Sequence, residues 1–265
     1  MNRRWKGAAA GLLLTLTLTA PAFSANVVAD GVTLPADQAW VERGTSYITL
    51  RAFSALTPYD LSWDGAKARL TGEGLALEAR PGDLYITVNG RALYVPGGVR
   101  VVEGKACLPL RVLAEATGTN LTWDGASATA RLSTDNAQPA AANYNQEDLY
   151  WLARVISAES RGESLRGQIA VGNVVLNRVK SGEFPNTIQG VVFDKKNGVQ
   201  FEPVSNGTIY DAPTDSALLA AKLCLEGADV VGDCLYFYAP ALSAGTWIVG
   251  NRTYHTTIGC HRFYL

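Results

Sequence analysis

The sequence predicts an α+β protein of two parts, a β-rich N-terminal half and an α-rich C-terminal half. Three observations support this division: a unit that recurs after 60 residues, a polar segment at 133–146, and a helical pattern of apolar residues that begins at Glu147. The chain has 265 residues, 48% of them hydrophobic, so each half is long enough to bury a core. A net charge of −1 predicts neither a nucleic-acid partner nor binding to an anionic membrane surface.

The first 24 residues are typical of a secretory signal peptide. A basic start at 2–6 precedes an uncharged stretch at 7–20, and the small residues Ala22 and Ser24 have the spacing that a signal peptidase needs. The uncharged stretch is short for a bilayer span, and a retained anchor stays the alternative to cleavage. No later segment is long and apolar enough to cross a membrane, so we expect a secreted protein with no stable membrane span after processing.

Export permits disulfides, and four cysteines allow three pairings. A bond from Cys224 to Cys234 and a bond from Cys224 to Cys260 are both compatible with the pattern. Cys107 is expected to be a buried, small apolar residue.

The N-terminal half contains an internal duplication, in which residues 41–70 recur as residues 101–130. The clearest match is the Trp-Asp-Gly-Ala run, found at 63–66 and again at 123–126. The sequence of each copy predicts a short strand, then a helix such as 110–117, and then a hairpin. The Asp-Gly dipeptide is expected to provide the positive φ that the hairpin's tight turn requires.

Two further features of this half bear on its structure and role. Trp63 and Trp123 are interpreted as packing beside their hairpins, with sugar stacking as the alternative. Alternating apolar and polar residues around Asn89 and Gly90 predict another hairpin. The unit resembles the copper amine oxidase N-terminal-like domain, a stalk-like repeat on exported proteins of spore-forming bacteria. That resemblance implies a wall-associated spacer or binding module, and neither copper nor oxidase activity.

Residues 133–146 are small, polar and non-periodic, which is typical of a linker. The predicted organisation is therefore a signal peptide at 1–24, a duplicated stalk-like domain at 25–132, this linker, and a second domain at 147–265.

Glu159 is the candidate catalytic residue. It follows Leu152 by seven residues, almost two helical turns, so it lies on the apolar face of the first predicted helix. A carboxyl at the end of an apolar stripe must be paired, hydrated or protonated, and burial raises its pKa toward the range of a general acid. The helix is expected to end at Arg161-Gly162.

A second helix is predicted at 165–179, and its apolar character indicates a central position. The small residues Gly167, Ala170 and Gly172 favour close contact with a neighbouring helix. Asn177 lies one turn after Asn173 on one face, where it bonds either to neighbouring backbone or to sugar amides.

Seven separated blocks of the C-terminal half occur in the order of a known family. They are Ala158–Glu163, Gly167–Val171, Val175–Val179, Phe184–Ile188, Gln200–Val204, Leu235–Tyr238 and Ile258–Phe263. Together they resemble the catalytic domain of the spore cortex-lytic enzymes, the SleB-like cell wall hydrolases. The resemblance implies a lysozyme-like α+β fold, peptidoglycan as substrate, cleavage after N-acetylmuramic residues, and Glu159 as the catalytic residue. Ala158, Ser160 and Ala239 depart from the family pattern, which usually has Gly, Ala and Asn at these positions.

One carboxylate suffices for a lytic transglycosylase, because the same group donates a proton and then removes one from the muramic C6 hydroxyl. A hydrolytic muramidase needs a second carboxylate, from Glu163 or Glu202. For Glu163 we favour a structural role over a catalytic one, in an ion pair with Arg161 or Arg178. A non-catalytic wall-binding protein is the rival from another class.

The residues assigned to substrate binding are Glu163, Asn177, Gln200, Phe201, Tyr236, Tyr238, Trp247 and His261. His255 and His261 lack the spacing of a zinc site, and adjacent Cys260 and His261 do not form a nucleophilic pair, so no metal or cofactor is predicted. The expected partner is peptidoglycan in the cell wall or in the spore cortex and intermembrane space, and the need for a regulatory protein partner stays open.

Overall fold

The computed structural model describes residues 26–135, 137–196 and 200–265. The predicted signal peptide lies outside the described residues. Within these ranges, no helix is both long and apolar enough to pass through a membrane. Helices and strands are both present, and the strands are concentrated in the N-terminal half, which confirms the predicted α+β class and its division.

The N-terminal half consists of three sheets and two short helices in residues 26–135. The helices are α1 (Leu50–Leu56) and α2 (Leu110–Thr117). The strands are β1 (Asn26–Ala29), β2 (Val32–Thr33), β3 (Ala39–Glu42), β4 (Thr45–Thr49), β5 (Asp60–Trp63), β6 (Ala68–Gly72), β7 (Leu75–Ala79), β8 (Tyr85–Val88), β9 (Arg91–Tyr94), β10 (Arg100–Val102), β11 (Lys105–Pro109), β12 (Asn120–Asp124) and β13 (Thr129–Ser133). Their sheet orders are β12-β13-β1-β2, β10-β11-β4-β3 and β5-β6-β7-β8-β9.

The sequence duplication appears as a pseudo-two-fold symmetry of the central sheet. β4 and β11 pair antiparallel, and Ile48 lies opposite Leu108. These two residues occupy equivalent positions of the two copies, so the pairing places an approximate two-fold axis between them. Each copy continues as the sequence predicts, through a helix into a hairpin: β4–α1–β5–β6 and β11–α2–β12–β13.

The aspartates of the two Trp-Asp-Gly-Ala runs organise the hairpin turns. The Asp64 Oδ1 accepts hydrogen bonds from the amides two and three residues later, at 3.0 and 2.9 Å, and Asp124 does the same. Gly65 has the predicted positive φ, at 91°. In the second copy the prediction is wrong: the positive φ lies at Ala128, because β12 pairs one residue further, through Asp124 and Thr129.

Two other predictions for this half have opposite outcomes. Asn89 and Gly90 both have positive φ, 50° and 80°, and join β8 to β9 in a two-residue turn, which confirms that hairpin. Trp63 and Trp123 are each 55% exposed, so the interpretation that they pack beside their hairpins is wrong for much of each ring. A contact with the core does not explain their presence.

The C-terminal half consists of helices followed by a small antiparallel sheet of order β14-β16-β15. The helices are α3 (Gln146–Ser160), α4 (Leu165–Lys180), α5 (Ile188–Val192), α6 (Glu202–Asn206), α7 (Asp215–Leu225) and α8 (Thr246–Asn251), and a 3-10 turn lies at Thr208–Tyr210. The strands are β14 (Tyr236–Tyr238), β15 (Tyr254–Ile258) and β16 (His261–Tyr264). Both predicted helices, the one from Glu147 and the one at 165–179, are confirmed.

Helices α3, α4 and α7 form the core of this half. A Cβ atom at Gly172 would lie 2.6 Å from the Cys224 Sγ and 2.8 Å from the Ile156 Cδ1. Gly172 therefore allows α4 to approach both neighbours, as its size predicts. Leu152 and Ile156 are fully buried in the same cluster, which fixes the rotation of α3 about its axis.

The four thiols are unpaired in this structure. Cys107 is buried, as expected. The bonds from Cys224 that the sequence leaves open are not formed, because Cys224 lies inside the helical core with its thiol 3.5 Å from the Ile169 carbonyl oxygen. Cys260 lies on an exposed turn.

The two halves are joined by direct contacts as well as by the connecting segment. Arg91 on β9 forms an ion pair of 2.8 Å with Glu226 after α7, and these side chains are only 12% and 15% exposed. The Tyr144 hydroxyl oxygen accepts a hydrogen bond from the Ala92 amide at 3.3 Å. Residues 134–135 and 137–145 form no helix or strand. The domain limits themselves stay a prediction.

Candidate active site

Glu159 lies in the last turn of α3, on the side that packs into the helical core. Its side chain is half-buried, and burial raises the pKa of this carboxyl to about 7. The negative charge of Glu202 raises this pKa further, while the positive charge of Arg178 lowers it. Near neutral pH both the protonated and the ionised form are therefore well populated, which a group that first donates and then accepts a proton requires.

Arg178 is the buried cation beside this carboxyl. Its Nε donates a hydrogen bond to the Leu235 carbonyl oxygen at 2.8 Å, and its guanidinium carbon lies 4.8, 5.3 and 5.6 Å from the ring centroids of Phe184, Phe201 and Tyr236. Burial lowers the pKa of Arg178 to about 10, so the group stays charged at neutral pH. Its Nη1 is buried and has no hydrogen-bond partner in the described part of the chain.

An aromatic wall continues from Arg178 toward solvent. The rings of Tyr236 and Trp247 are 5.8 Å apart, and Trp247 is 56% exposed. Arg252 supports both rings: its Nη2 donates a hydrogen bond of 2.6 Å to the Tyr236 hydroxyl oxygen, and its guanidinium carbon lies 4.3 and 5.4 Å from the two centroids. Flat aromatic faces beside cationic donors are suited to bind sugar rings.

Glu163 has a different surrounding from the one that its sequence position suggests. The Cys260 amide donates to both of its carboxylate oxygens, at 3.2 and 3.3 Å, and the His261 Nδ1 lies 3.7 Å away. A Cβ atom at Gly259 would lie 1.7 Å from the Glu163 Oε2. Glu163 therefore holds the turn between β15 and β16 against the start of α4.

The expected ion pair of Glu163 with Arg161 or Arg178 is absent from the described residues. Helix α3 ends at Ser160 with Arg161 as its C-cap, and the chain then turns, so Glu163 does not follow Glu159 along the helix. Its carboxylate reaches the β15–β16 turn instead. His261 is buried against Glu163 and the Phe237 ring, whose centroid is 5.3 Å away, and this burial lowers its pKa.

Asn177 is bonded to backbone. Its Nδ2 donates to the carbonyl oxygens of Gly232 and Cys234, at 2.6 and 3.0 Å, and Asn173 makes a similar bond of 2.6 Å to Ala228. These bonds fix the segment between α7 and β14, so both asparagines have the structural role that the sequence leaves open.

The remaining predicted residues are divided between the aromatic wall and its surroundings. Phe201 is buried beneath Arg178. Tyr238 is half-buried, with its ring 5.9 Å from that of Tyr264. Gln200 immediately precedes Phe201 and is partly buried. Of the substrate-binding set, the structure thus brings Phe201 and Tyr236 to Arg178, and it places Trp247 against Tyr236.

Sequence reasoning missed Arg178 and Arg252 as members of this site. A signal for Arg178 existed, since an arginine on the apolar run of a central helix must be buried with partners. Arg252 gave no comparable signal, because its two aromatic neighbours come from β14 and α8 through tertiary packing.

Comparison with known proteins finds a matching family for each half of the chain. Residues 28–132 match the copper amine oxidase N-terminal domain, and residues 162–264 match the family described as cell wall hydrolase. We call the C-terminal segment that matches this family the cell wall hydrolase domain. The match begins three residues after Glu159, so the catalytic assignment of Glu159 is a separate question.

The cell wall hydrolase domain is similar to spore cortex-lytic enzymes. The enzyme of Bacillus cereus is 39% identical over 120 residues, which are 45% of this chain and 45% of the relative. The enzyme of Oceanobacillus iheyensis is 37% identical over 120 residues, 45% of this chain and 42% of the relative. The chain thus spans less than half the length of these curated relatives.

A solved structure is also similar: the catalytic domain of the germination-specific lytic transglycosylase SleB from Bacillus anthracis. It is 37% identical, with a TM-score of 0.43, and the alignment covers 48% of this chain and 100% of that one.

Proposed function

We propose that this protein cleaves the glycan strands of peptidoglycan after N-acetylmuramic residues, as a lytic transglycosylase with Glu159 as general acid and then general base. The observation that carries the proposal is the Glu159 carboxyl, half-buried beside Arg178 with a pKa of about 7. The similarity of the cell wall hydrolase domain to spore cortex-lytic enzymes supports spore cortex as the form of peptidoglycan attacked.

The reaction uses one carboxyl group in both steps. Protonated Glu159 gives its proton to the glycosidic oxygen as the bond from that oxygen to the muramic C1 breaks, which leaves an oxocarbenium-like centre. The ionised carboxylate then removes the proton of the C6 hydroxyl as O6 bonds to C1. The product has a 1,6-anhydro end, no water is consumed, and Glu159 is protonated again.

Arg178 acts on the state between these steps. After the first transfer Glu159 is a carboxylate in a place where burial disfavours charge, and the nearby guanidinium stabilises it. Because Arg178 is held by the Leu235 carbonyl and by three aromatic rings, it needs little rearrangement to do so. Trp247, which is 56% exposed, packs on a sugar ring of the strand, and Tyr236, which is only 9% exposed, supports the Trp247 ring.

One observation favours a hydrolytic muramidase as the second candidate. The charge of Glu202 acts on Glu159, so a second carboxylate is present near the acid. If Glu202 activated water, the product would have a reducing end. Glu163 is not suited to this task, because its carboxylate is occupied by the β15–β16 turn.

The test digests purified spore cortex and vegetative sacculi and identifies the new termini by mass spectrometry. We expect anhydro ends from the wild type, loss of activity by about 10²–10⁴-fold or more in Glu159→Gln, and retained anhydro products in Glu202→Gln. Glu73→Gln, on an exposed turn of the other half, is the matched control. Full activity of Glu159→Gln would refute the assignment, and reducing ends lost in Glu202→Gln would establish the muramidase.

Binding to sacculi without release of soluble fragments by the wild type would support the non-catalytic rival instead. We further propose that the protein acts outside the cytoplasmic membrane, in the cell wall or the spore cortex and intermembrane space. A regulatory protein partner is testable by adding sporulation extract to the same digestion.

A further inference from the structure

The duplication creates two equivalent grooves in the N-terminal half. We name them after their tryptophans: the Trp63 groove, of about 560 Å³, and the Trp123 groove, of about 360 Å³. In each, one copy provides the tryptophan, and the turn at Gly104 or Gly44 of the other copy forms the opposite side. Seven of the eleven lining positions of each groove have a counterpart 60 residues away in the other groove, as expected from the pseudo-two-fold axis between Ile48 and Leu108.

The tryptophan faces are open in both grooves. Trp63 and Trp123 are each 55% exposed, and their cross-strand neighbours are the small residues Ala68 and Ala130. The hairpin turns do not need them, since the aspartate side chains organise those turns. An exposed tryptophan that serves neither the core nor the turn, at the same position of both copies, is best explained by ligand binding.

Each groove also contains an arginine in the first turn of its helix. Arg51 lines the Trp63 groove and Arg111 lines the Trp123 groove, and both side chains are exposed. Neither guanidinium has an ion-pair partner within 4.0 Å among the described residues. The hydroxyl groups of Ser62 and Thr122 lie at matching positions of the lining. An apolar face beside a free cation and a hydroxyl complements a sugar polymer that carries carboxylates close to its rings.

Two like grooves in one domain, related by the pseudo-two-fold axis, favour a ligand made of repeating units. A polymer of regular units engages both grooves at once, and the second contact then forms at high effective concentration. Peptidoglycan has this chemistry: amide-bearing sugar rings alternate along the strand, and peptide stems with free carboxylates project from it.

We propose that the Trp63 groove and the Trp123 groove are two equivalent binding sites for peptidoglycan, in which the tryptophan packs on a sugar ring and the arginine pairs with a stem carboxylate. The choice of polymer rests on the proposed function of the C-terminal domain. The N-terminal half thereby holds the enzyme on its insoluble substrate between cleavage events.

The experiment measures binding of the full-length protein to sacculi from which other wall polymers have been removed, in the Glu159→Gln background to prevent cleavage. We expect Trp63→Ala and Trp123→Ala each to weaken binding at least about tenfold, and the double variant at least about 100-fold. Val32→Ala is the control, because Val32 is a 64% exposed apolar residue of the same half outside both grooves. Its binding should equal that of the parent.

A second measurement leaves the protein unchanged. Amidation of the carboxylates in the sacculi should weaken binding of the parent to the level of the Arg51→Gln, Arg111→Gln double variant. Two results would overturn the inference. The first is that the double tryptophan variant binds as tightly as the parent. The second is that the parent stops binding once phosphate-rich wall polymers are removed. Failure of the proposed function is distinct, because it appears as a wild-type protein that releases no fragments while its binding still depends on the tryptophans.

Discussion

The charges around Glu159 predict that two substitutions shift the pH dependence of cleavage in opposite directions. The first step needs the protonated carboxyl, so activity at low substrate concentration falls as pH rises through the pKa of Glu159, which is about 7. Arg178→Met removes the charge that lowers this pKa, and the falling limb should move up by about one pH unit. Glu202→Gln removes a charge that raises it, and the limb should move down.

Both charges act on the half-buried Glu159 carboxyl, and Glu202 influences its pKa more than Arg178 does. We therefore expect each substitution to move the midpoint by about one pH unit or less. One unit corresponds to about 1.4 kcal/mol and a tenfold change in the ratio of the two protonation states. The assay is the initial rate of release of soluble fragments from sacculi between pH 5 and 9, with the midpoint of the falling limb as the readout.

Arg178→Lys separates charge from packing. It keeps a cation in the same place, so its midpoint should stay near that of the wild type even if its maximal rate falls. The assignment of the limb to Glu159 would be refuted if Arg178→Met and Glu202→Gln moved the midpoint in the same direction, or if neither moved it.

Three predictions concern stability. The pKa of Glu159 is raised from 4.5 to about 7 in the folded state, so its ionisation opposes folding by an amount that is absent below about pH 4.5 and complete above about pH 7. At pH 8, Glu159→Gln should therefore raise the free energy of unfolding by up to about 3 kcal/mol and the melting temperature with it. At pH 4 the substitution should change the melting temperature little. Equal effects at the two pH values would contradict the prediction. Gly259→Ala should lower the free energy of unfolding by at least about 1–3 kcal/mol, because the added Cβ would overlap the Glu163 carboxylate and the residue's φ is 57°. Urea titration measures this change. Gly182→Ala is the control, and it should leave the free energy of unfolding unchanged because the space around Gly182 is open. Arg91→Met should leave the Glu226 carboxylate unpaired and lower the free energy of unfolding by about 3 kcal/mol. In calorimetry the two halves should then unfold in separate transitions. A single transition at an unchanged temperature would show that this ion pair does not join the two halves.

The parts of the fold that could be predicted are those set by local sequence. Helix α2, the Asn89-Gly90 turn and the position of Glu159 on the apolar face of α3 each depend on residues within a few turns or one hairpin of each other. The pairing of β4 with β11 depends on contacts 60 residues apart, and nothing local encodes it. The duplication was visible in the sequence, but the two-fold axis that it produces was not.

The candidate active site, too, could be predicted from the sequence only where local sequence determines it. Glu159 could be named because burial follows from helical periodicity, while the role of Arg178 depends on Phe201 and Tyr236, which reach it only after α6 and β14 have packed against α4. The solvent exposure of individual side chains was the property hardest to predict from the sequence. From the sequence, a tryptophan beside a turn is expected to pack on its own hairpin. Only the three-dimensional structure shows that the ring faces of Trp63 and Trp123 are open to solvent.

Glu163 illustrates why a carboxylate close to the catalytic residue in sequence does not have to share its chemistry. It lies four residues after Glu159 but bonds to the Cys260 amide, 97 residues away. Through this contact the end of α3, the start of α4 and the β15–β16 turn are held together. Because Glu159 lies on the last turn of α3, the same contact limits how far its carboxyl is able to move relative to Arg178 on α4. A carboxyl whose ionisation opposes folding needs such support, since otherwise the helix end would fray and expose it to water, and its pKa would return toward its ordinary value.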